Sequence, residues 1–158
     1  MANCCQIRPV TSDDHLTLRQ VYQDAIQSQA NLFYSADQIK AWSALAWLPG
    51  FLDRSLNEGR GWAAIYKDEI QAFAIRYPLD RLALLYCRGC ASRKGFSSAL
   101  LHQVEREAFL EGQIALRTEA SLLSYPLLLK LGWFYRELEI IEIGGIRFQR
   151  YLMQKNLS

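Results

Sequence analysis

The chain has 158 residues, carries 18 Lys and Arg against 16 Asp and Glu, and is 51% hydrophobic and 22% charged. That balance excludes an intrinsically disordered chain, which needs few apolar residues and a large net charge. A net charge of +2 is too mild for the basic face of a nucleic-acid binder. No run of about 18 uncharged apolar residues occurs, and the N-terminus shows neither a basic nor an apolar leader region. The expectation is one soluble, cytoplasmic domain over residues 1–158 with no membrane span.

Ile7 to Val10 reads as a short strand, and Ser12 is placed to cap the helix that follows, with Asp13 and Asp14 in its first turn. Leu18, Val21, Tyr22, Ala25 and Ile26 recur at helical spacing. Asn31 to Tyr34 is a loop. Ser35 and Gln38 form a capping box before a second helix whose apolar face begins at Ile39 and Trp42. Pro49-Gly50 breaks it, and a short helix spans Phe51 to Leu56. Gly61–Tyr66 and Ile70–Tyr77 read as a hairpin around Lys67-Asp68-Glu69. After the turn at Pro78-Leu79-Asp80, Leu82 to Cys87 is a continuous apolar run, the signature of a strand buried on both faces. A loop from Arg88 to Lys94 leads into a long helix, Phe96 to Glu111, stopped by Gly112. Ile114–Thr118 is a strand and Leu122–Leu131 a helix, with Gly132 just past its end. Phe134–Ile141 and Ile146–Met153 form a hairpin around Gly144-Gly145. The expected fold class is α+β: a mixed, mostly antiparallel central sheet with helices on both faces.

The informative joint is the one between Leu85 and Leu101. A buried strand ends at Leu85, Tyr86 and Cys87, a loop carries Arg88, Arg93, Lys94 and Gly95, and a helix begins at Phe96, Ser97 and Ser98. A helix N-terminus with free N–H groups and nearby cations attracts phosphate, and a glycine lets the ligand reach the backbone. The same pattern also reads as an ordinary strand–loop–helix joint with solvated basic residues. Cys87 and Cys90 have the spacing of a zinc or redox pair, and Cys4 and Cys5 are adjacent. Neither pair has a second CxxC or a His pair nearby, so reduced thiols are expected and no metal.

Ser92-Arg93-Lys94-Gly95-Phe96-Ser97, followed by Ser98-Ala99-Leu100-Leu101, resembles the acetyl-CoA-binding motif of the GNAT N-acetyltransferase superfamily, Gln/Arg-x-x-Gly-x-Gly/Ala before an apolar helix. Gly95 matches; Ser92 and Ser97 depart from the pattern. Leu127-Leu-Leu-Lys-Leu-Gly-Trp133 is similar to the family's Phe-Tyr-Glu-Lys-Leu-Gly-Phe. Tyr151-Leu-Met-Gln-Lys-Asn-Leu157 is similar to its last strand, and Tyr34-Ser-Ala-Asp-Gln-Ile-Lys-Ala-Trp42 to the opening of its second helix in some members. The resemblance covers residues 7–155.

The resemblance implies a GNAT-like fold and transfer of an acetyl group from acetyl-CoA to an amine. The acceptor would be a small molecule or a peptide, and a homodimer is compatible with it. Its alternative is a GNAT-fold protein that binds acyl-CoA without catalysis. Cofactor contacts fall on Leu85, Tyr86, Cys87, Arg93, Lys94, Gly95, Phe96, Ser97 and Ser98. The family's thiolate-protonating Tyr falls on Leu128, which has no proton to give, so Tyr125, one turn earlier, is the candidate acid. Glu119, at the end of its strand, is the candidate base. Phe33, Tyr34 and Trp42 are candidates for the acceptor wall. For Tyr125, Glu119 and Trp42 a purely structural role is the competing reading.

Overall fold

The computed structural model describes residues 5–158. The strands are β1 (Gln6–Pro9), β2 (Arg60–Tyr66), β3 (Glu69–Arg76), β4 (Arg81–Cys87), β5 (Ala115–Ala120), β6 (Phe134–Ile143) and β7 (Ile146–Asn156). The helices are α1 (His15–Gln29), α2 (Ala36–Ala44), α3 (Asp53–Glu58), α4 (Phe96–Leu110) and α5 (Tyr125–Lys130). One sheet holds all seven strands in the order β1-β2-β3-β4-β5-β7-β6. Every neighbouring pair is antiparallel except β4 with β5. The α+β class and mostly antiparallel sheet are those expected from sequence. No helix among the described residues is long and apolar enough to cross a membrane.

Period-two alternation divides the core between the two faces of the sheet. Phe73 and Ile75 of β3 point toward α1, α2 and α3, where Leu18, Val21, Ile26 and Leu56 are buried. Ala72 and Ala74 of β3, with Ala64 of β2, point the other way, beneath Leu100, Leu101 and Val104 of α4. The small side chains on that face let α4 lie close to the sheet, and its long ones fill the gap.

Local signals explain most boundaries. The capping box before α2 forms as expected: Gln38 N–H donates to Ser35 Oγ at 3.1 Å and Ser35 N–H to Gln38 Oε1 at 2.9 Å. The β6–β7 turn has φ of +57° at Gly144 and +80° at Gly145, a pair of left-handed positions that suits a tight hairpin.

Several boundaries shift by a few residues from expectation, and two of these shifts have a visible local cause. Ser12 does not cap α1; it lies in a single 3-10 turn, Ser12–Asp14, and Thr11 is the capping residue. Asp14 accepts from Thr11 N–H at 2.8 Å and from Arg8 at 2.8 and 2.9 Å, which makes it the better end for a helix that starts at His15. The α5 helix starts at Tyr125, not Leu122, because Ser121 O turns the chain by accepting from the N–H groups of Ser124 and Tyr125 at 3.2 and 2.9 Å. Pro126 then sits in the first turn, where a missing N–H costs nothing.

Candidate active site

β4 and β5 pair only at Arg81–Arg117 and Leu82–Thr118. Beyond that point the two strands diverge into a fork. Its apex is pinned twice across the strands. Thr118 Oγ1 donates to Leu82 O at 2.7 Å, and Arg81 Nε reaches both oxygens of Glu119 at 2.9 and 3.1 Å.

The fork exposes backbone. In an antiparallel ladder alternate residues exchange hydrogen bonds with the partner, and those between them face away. Arg88 N–H donates to Gln71 O at 2.8 Å, so Leu84 and Tyr86 share that edge toward β3. The N–H groups of Leu85 and Cys87 therefore face the open side, where β5 has departed. The tip of β4 is fixed from α1: Gln29 Nε2 donates to Cys87 O at 2.7 Å, and Gly89 N–H donates to Asp24 at 2.9 Å.

α4 begins beside this tip. Gly95, its N-cap, has φ +86°, and Arg93 has φ +62°. The first intrahelical bond is Ala99 N–H to Gly95 O at 3.1 Å, which leaves the N–H groups of Phe96, Ser97 and Ser98 as the orphan donors of the helix start. Arg93 and Lys94 are exposed and form no ion pair among the described residues. Phe96 contributes its backbone only, because its ring is buried beside Tyr66 at 5.8 Å.

A cavity of about 250 Å³ opens at the fork. Leu85, Tyr86 and Cys87 line it with Ser97, so the tip of β4 and the start of α4 meet on one surface. Tyr34, Trp42 and Phe148 supply an aromatic wall, with Tyr34–Trp42 ring centroids 5.2 Å apart and Trp42–Phe148 6.3 Å apart. Ser121, Ser124, Leu127, Leu128 and Arg150 complete the side nearest α5 and β7.

Burial governs the titratable groups here. It pushes Tyr86 up to about 12 and Cys87 up to about 11, so both keep their protons at neutral pH and Cys87 is a poor nucleophile. Burial also raises Tyr34, against the opposing hydrogen bond from Leu122 N–H. That bond, 3.0 Å from Leu122 N to Tyr34 Oη, uses the phenol as an acceptor. The Ser121 side chain is a second hydrogen-bond partner of the same hydroxyl, so Tyr34 is tied to the turn that precedes α5.

The catalytic candidates separate. Glu119 lines the cavity, but both of its oxygens are held by Arg81. Tyr125 is not on the cavity wall: its ring packs on Tyr151, centroids 4.7 Å apart. Leu128, at the position the resemblance assigns to the acid, does line the cavity and is 1% exposed. Of the three candidates for the acceptor wall, Tyr34 and Trp42 line the cavity, whereas Phe33 is 50% exposed and lies off it. His102 is exposed on α4, and Asp80 pairs with Arg117 at 3.2 Å.

Arg81, Phe148 and Arg150 had no local signal in the sequence. Only strand register brings them to the fork. Cys5, Cys87 and Cys90 are free thiols, and no group of three or more metal-ligating side chains occurs among the described residues. Cys4 lies outside them.

No protein-family model and no curated protein sequence matches the chain. Solved structures do. The GCN5-related N-acetyltransferase "Aminotransferase, Class-II" of Rhodopseudomonas palustris superposes with a TM-score of 0.91 at 20% identity, over 96% of this chain and 95% of that one. PaiA N-acetyltransferase of Thermoplasma acidophilum, in complex with coenzyme A, gives 0.74 at 18% identity over 96% and 98%. A ribosomal-protein-alanine N-acetyltransferase of Brucella melitensis gives 0.68 at 18% identity over 96% and 99%. The fold is that of the GNAT N-acetyltransferases.

Proposed function

We propose that this protein is an N-acetyltransferase that moves the acetyl group of acetyl-CoA to a primary amine. One observation carries the reading: the open fork of β4 and β5 and the free N-terminus of α4 face a single cavity. The helix start supplies N–H donors and a positive dipole end for a pyrophosphate, with Arg93 and Lys94 at its side. The N–H groups of Leu85 and Cys87 supply fixed donors for the thioester oxygen. Such preorganised donors act on the negative charge that develops as the carbonyl is attacked. The same fold carrying coenzyme A in PaiA supports this placement.

The neutral amine nitrogen attacks the thioester carbon, an N–C bond forms and the C–S bond breaks. The proton lost by nitrogen passes to solvent, because the Glu119 oxygens are engaged by Arg81. The leaving thiolate takes a proton from the Tyr34 hydroxyl, a phenol on the cavity wall that burial keeps protonated. The phenolate recovers that proton from water. Tyr34 is thus proposed for the role for which Tyr125 was the candidate in the sequence, with packing as its competing reading. The acyl group moves directly, since the Cys87 thiol stays protonated.

A second reading, acyl-CoA binding without catalysis, draws on Leu128 at the usual acid position and on the engaged Glu119. Calorimetry with acetyl-CoA followed by a screen of amines separates them. Binding with release of free CoA thiol upon addition of an amine supports transfer. Binding with no thiol release from any amine supports the second reading, and no binding overturns both.

A further inference from the structure

Three charged side chains line the cavity: Arg81, Glu119 and Arg150. Arg81 and Glu119 satisfy each other, and Arg81 Nη1 is further engaged by Tyr77 O at 3.1 Å. Arg150 differs. It stands opposite Glu139 in the β6–β7 ladder, and both its Nε and its Nη2 donate to the same Glu139 oxygen, Nε at 2.9 Å. That grip orients the guanidinium and leaves Nη1, with its two hydrogens, uncommitted. Glu139 itself does not line the cavity. The wall thus offers an oriented arginine donor and no free carboxylate.

The rest of the wall is apolar. Tyr34, Trp42 and Phe148 form one side, with Ile141 and Ile143 beside them on β6. At about 250 Å³ the cavity is smaller than the ~300–1,000 Å³ of usual small-molecule pockets. It must also admit the end of the acyl donor.

We propose, resting on the acetyl-transfer reading, that the acceptor is a small amine with an apolar or aromatic body and a carboxylate held by Arg150, an amino-acid-like molecule. Its amine faces the fork, its body lies on the aromatic wall, and its carboxylate meets Nη1 of Arg150. The product is the N-acetyl amino acid. A polyamine finds no free carboxylate and two guanidinium groups. A peptide N-terminus carries no carboxylate next to its amine, so it leaves Arg150 unused.

The test measures binding and turnover separately, on the full chain. Calorimetry with CoA present, and thiol release with acetyl-CoA, are run on phenylalanine, phenylalanine amide, phenethylamine and spermidine. A hydrogen bond to a charged group is worth about 1.5–3 kcal/mol, or roughly 10- to 150-fold. Phenylalanine is expected to be favoured over its amide and over phenethylamine by about that factor in both affinity and kcat/KM. Arg150→Gln is expected to bring the preference within about threefold while acetyl-CoA affinity holds. Arg150→Lys, which keeps the charge but not the fork, retains part of the preference and guards against a folding defect.

Equal or better binding of phenethylamine, the amide or spermidine overturns the proposal, as does an undiminished preference in Arg150→Gln. If phenylalanine binds through Arg150 but no thiol is released, the ligand class stands and acetyl transfer falls. If spermidine is acetylated well, transfer stands and the ligand class falls.

Discussion

Tyr34→Phe removes one oxygen from the cavity wall and keeps the ring. The structure gives that oxygen two separable roles. It accepts the Leu122 N–H at 3.0 Å, and losing one such bond costs about 1 kcal/mol of stability. A domain of this kind holds about 5–15 kcal/mol in reserve, so the variant stays folded. The hydroxyl is also the proposed proton donor to the thiolate. General-acid help is worth about 10²–10⁴-fold, which at about 1.4 kcal/mol per decade is roughly 3–5 kcal/mol of barrier. The barrier effect exceeds the stability effect, so the two roles are distinguishable. Urea unfolding is expected to show the small loss, calorimetry an unchanged acetyl-CoA affinity, and thiol release a kcat lower by at least 10². Tyr125→Phe serves as the comparison and is expected to leave kcat unchanged, because its ring packs on Tyr151 away from the cavity. An unchanged kcat in Tyr34→Phe, or a collapse in Tyr125→Phe, would refute the assignment.

Other expectations follow from single positions. A Cβ at Gly95 meets nothing within 4 Å, yet φ is +86°; Gly95→Ala should cost about 1–2 kcal/mol in unfolding through backbone strain alone. Any loss of acetyl-CoA affinity in the folded fraction then reports the ligand's own approach to this backbone. Arg93 and Lys94 are exposed, so acetyl-CoA affinity should fall as salt rises from 0.05 to 0.5 M, following the shrinking screening length. A flat titration would mean these cations do not meet phosphate. Arg8, by hydrogen bonding, holds the Asp14 carboxyl down at about 2. A lowered carboxyl pKa gives stability that is present above the ordinary value near 4 and is lost as pH falls through about 2. Arg8 keeps a third of its surface in water, so the expected contribution is on the order of 1 kcal/mol. Arg8→Met should remove it between pH 4 and 7 and change little below pH 2, as read by urea unfolding.

The elements and their order were legible because each carries a local signal: the Ser35–Gln38 box, the glycine pair at Gly144-Gly145, the apolar run Leu82–Cys87. Where two such signals competed, the longer-range contact decided. Thr11 rather than Ser12 caps the first helical segment because Arg8 holds Asp14 for it. The insertion of β7 between β5 and β6 has no local signature, and it is what brings Phe148 and Arg150 to the cavity. The half of the cavity proposed for the cofactor was readable as a unit, since a strand tip, a glycine and a helix start are contiguous in sequence. The half proposed for the acceptor is assembled from Tyr34, α2, β6 and β7, so only Tyr34 and Trp42 of it were visible beforehand. Arg81 and Glu119 lie 38 residues apart, and their pairing at the fork apex turned the candidate base into a brace.

The most direct measurement is a calorimetric titration of acetyl-CoA into the wild-type protein and into Gly95→Val. One-site saturable binding to the wild type is expected, with affinity at least tenfold weaker in the folded variant, because a branched side chain at Gly95 blocks the approach to the α4 N–H groups. Absence of binding to the wild type, or equal affinity in the two proteins, would contradict a pyrophosphate held at the start of α4.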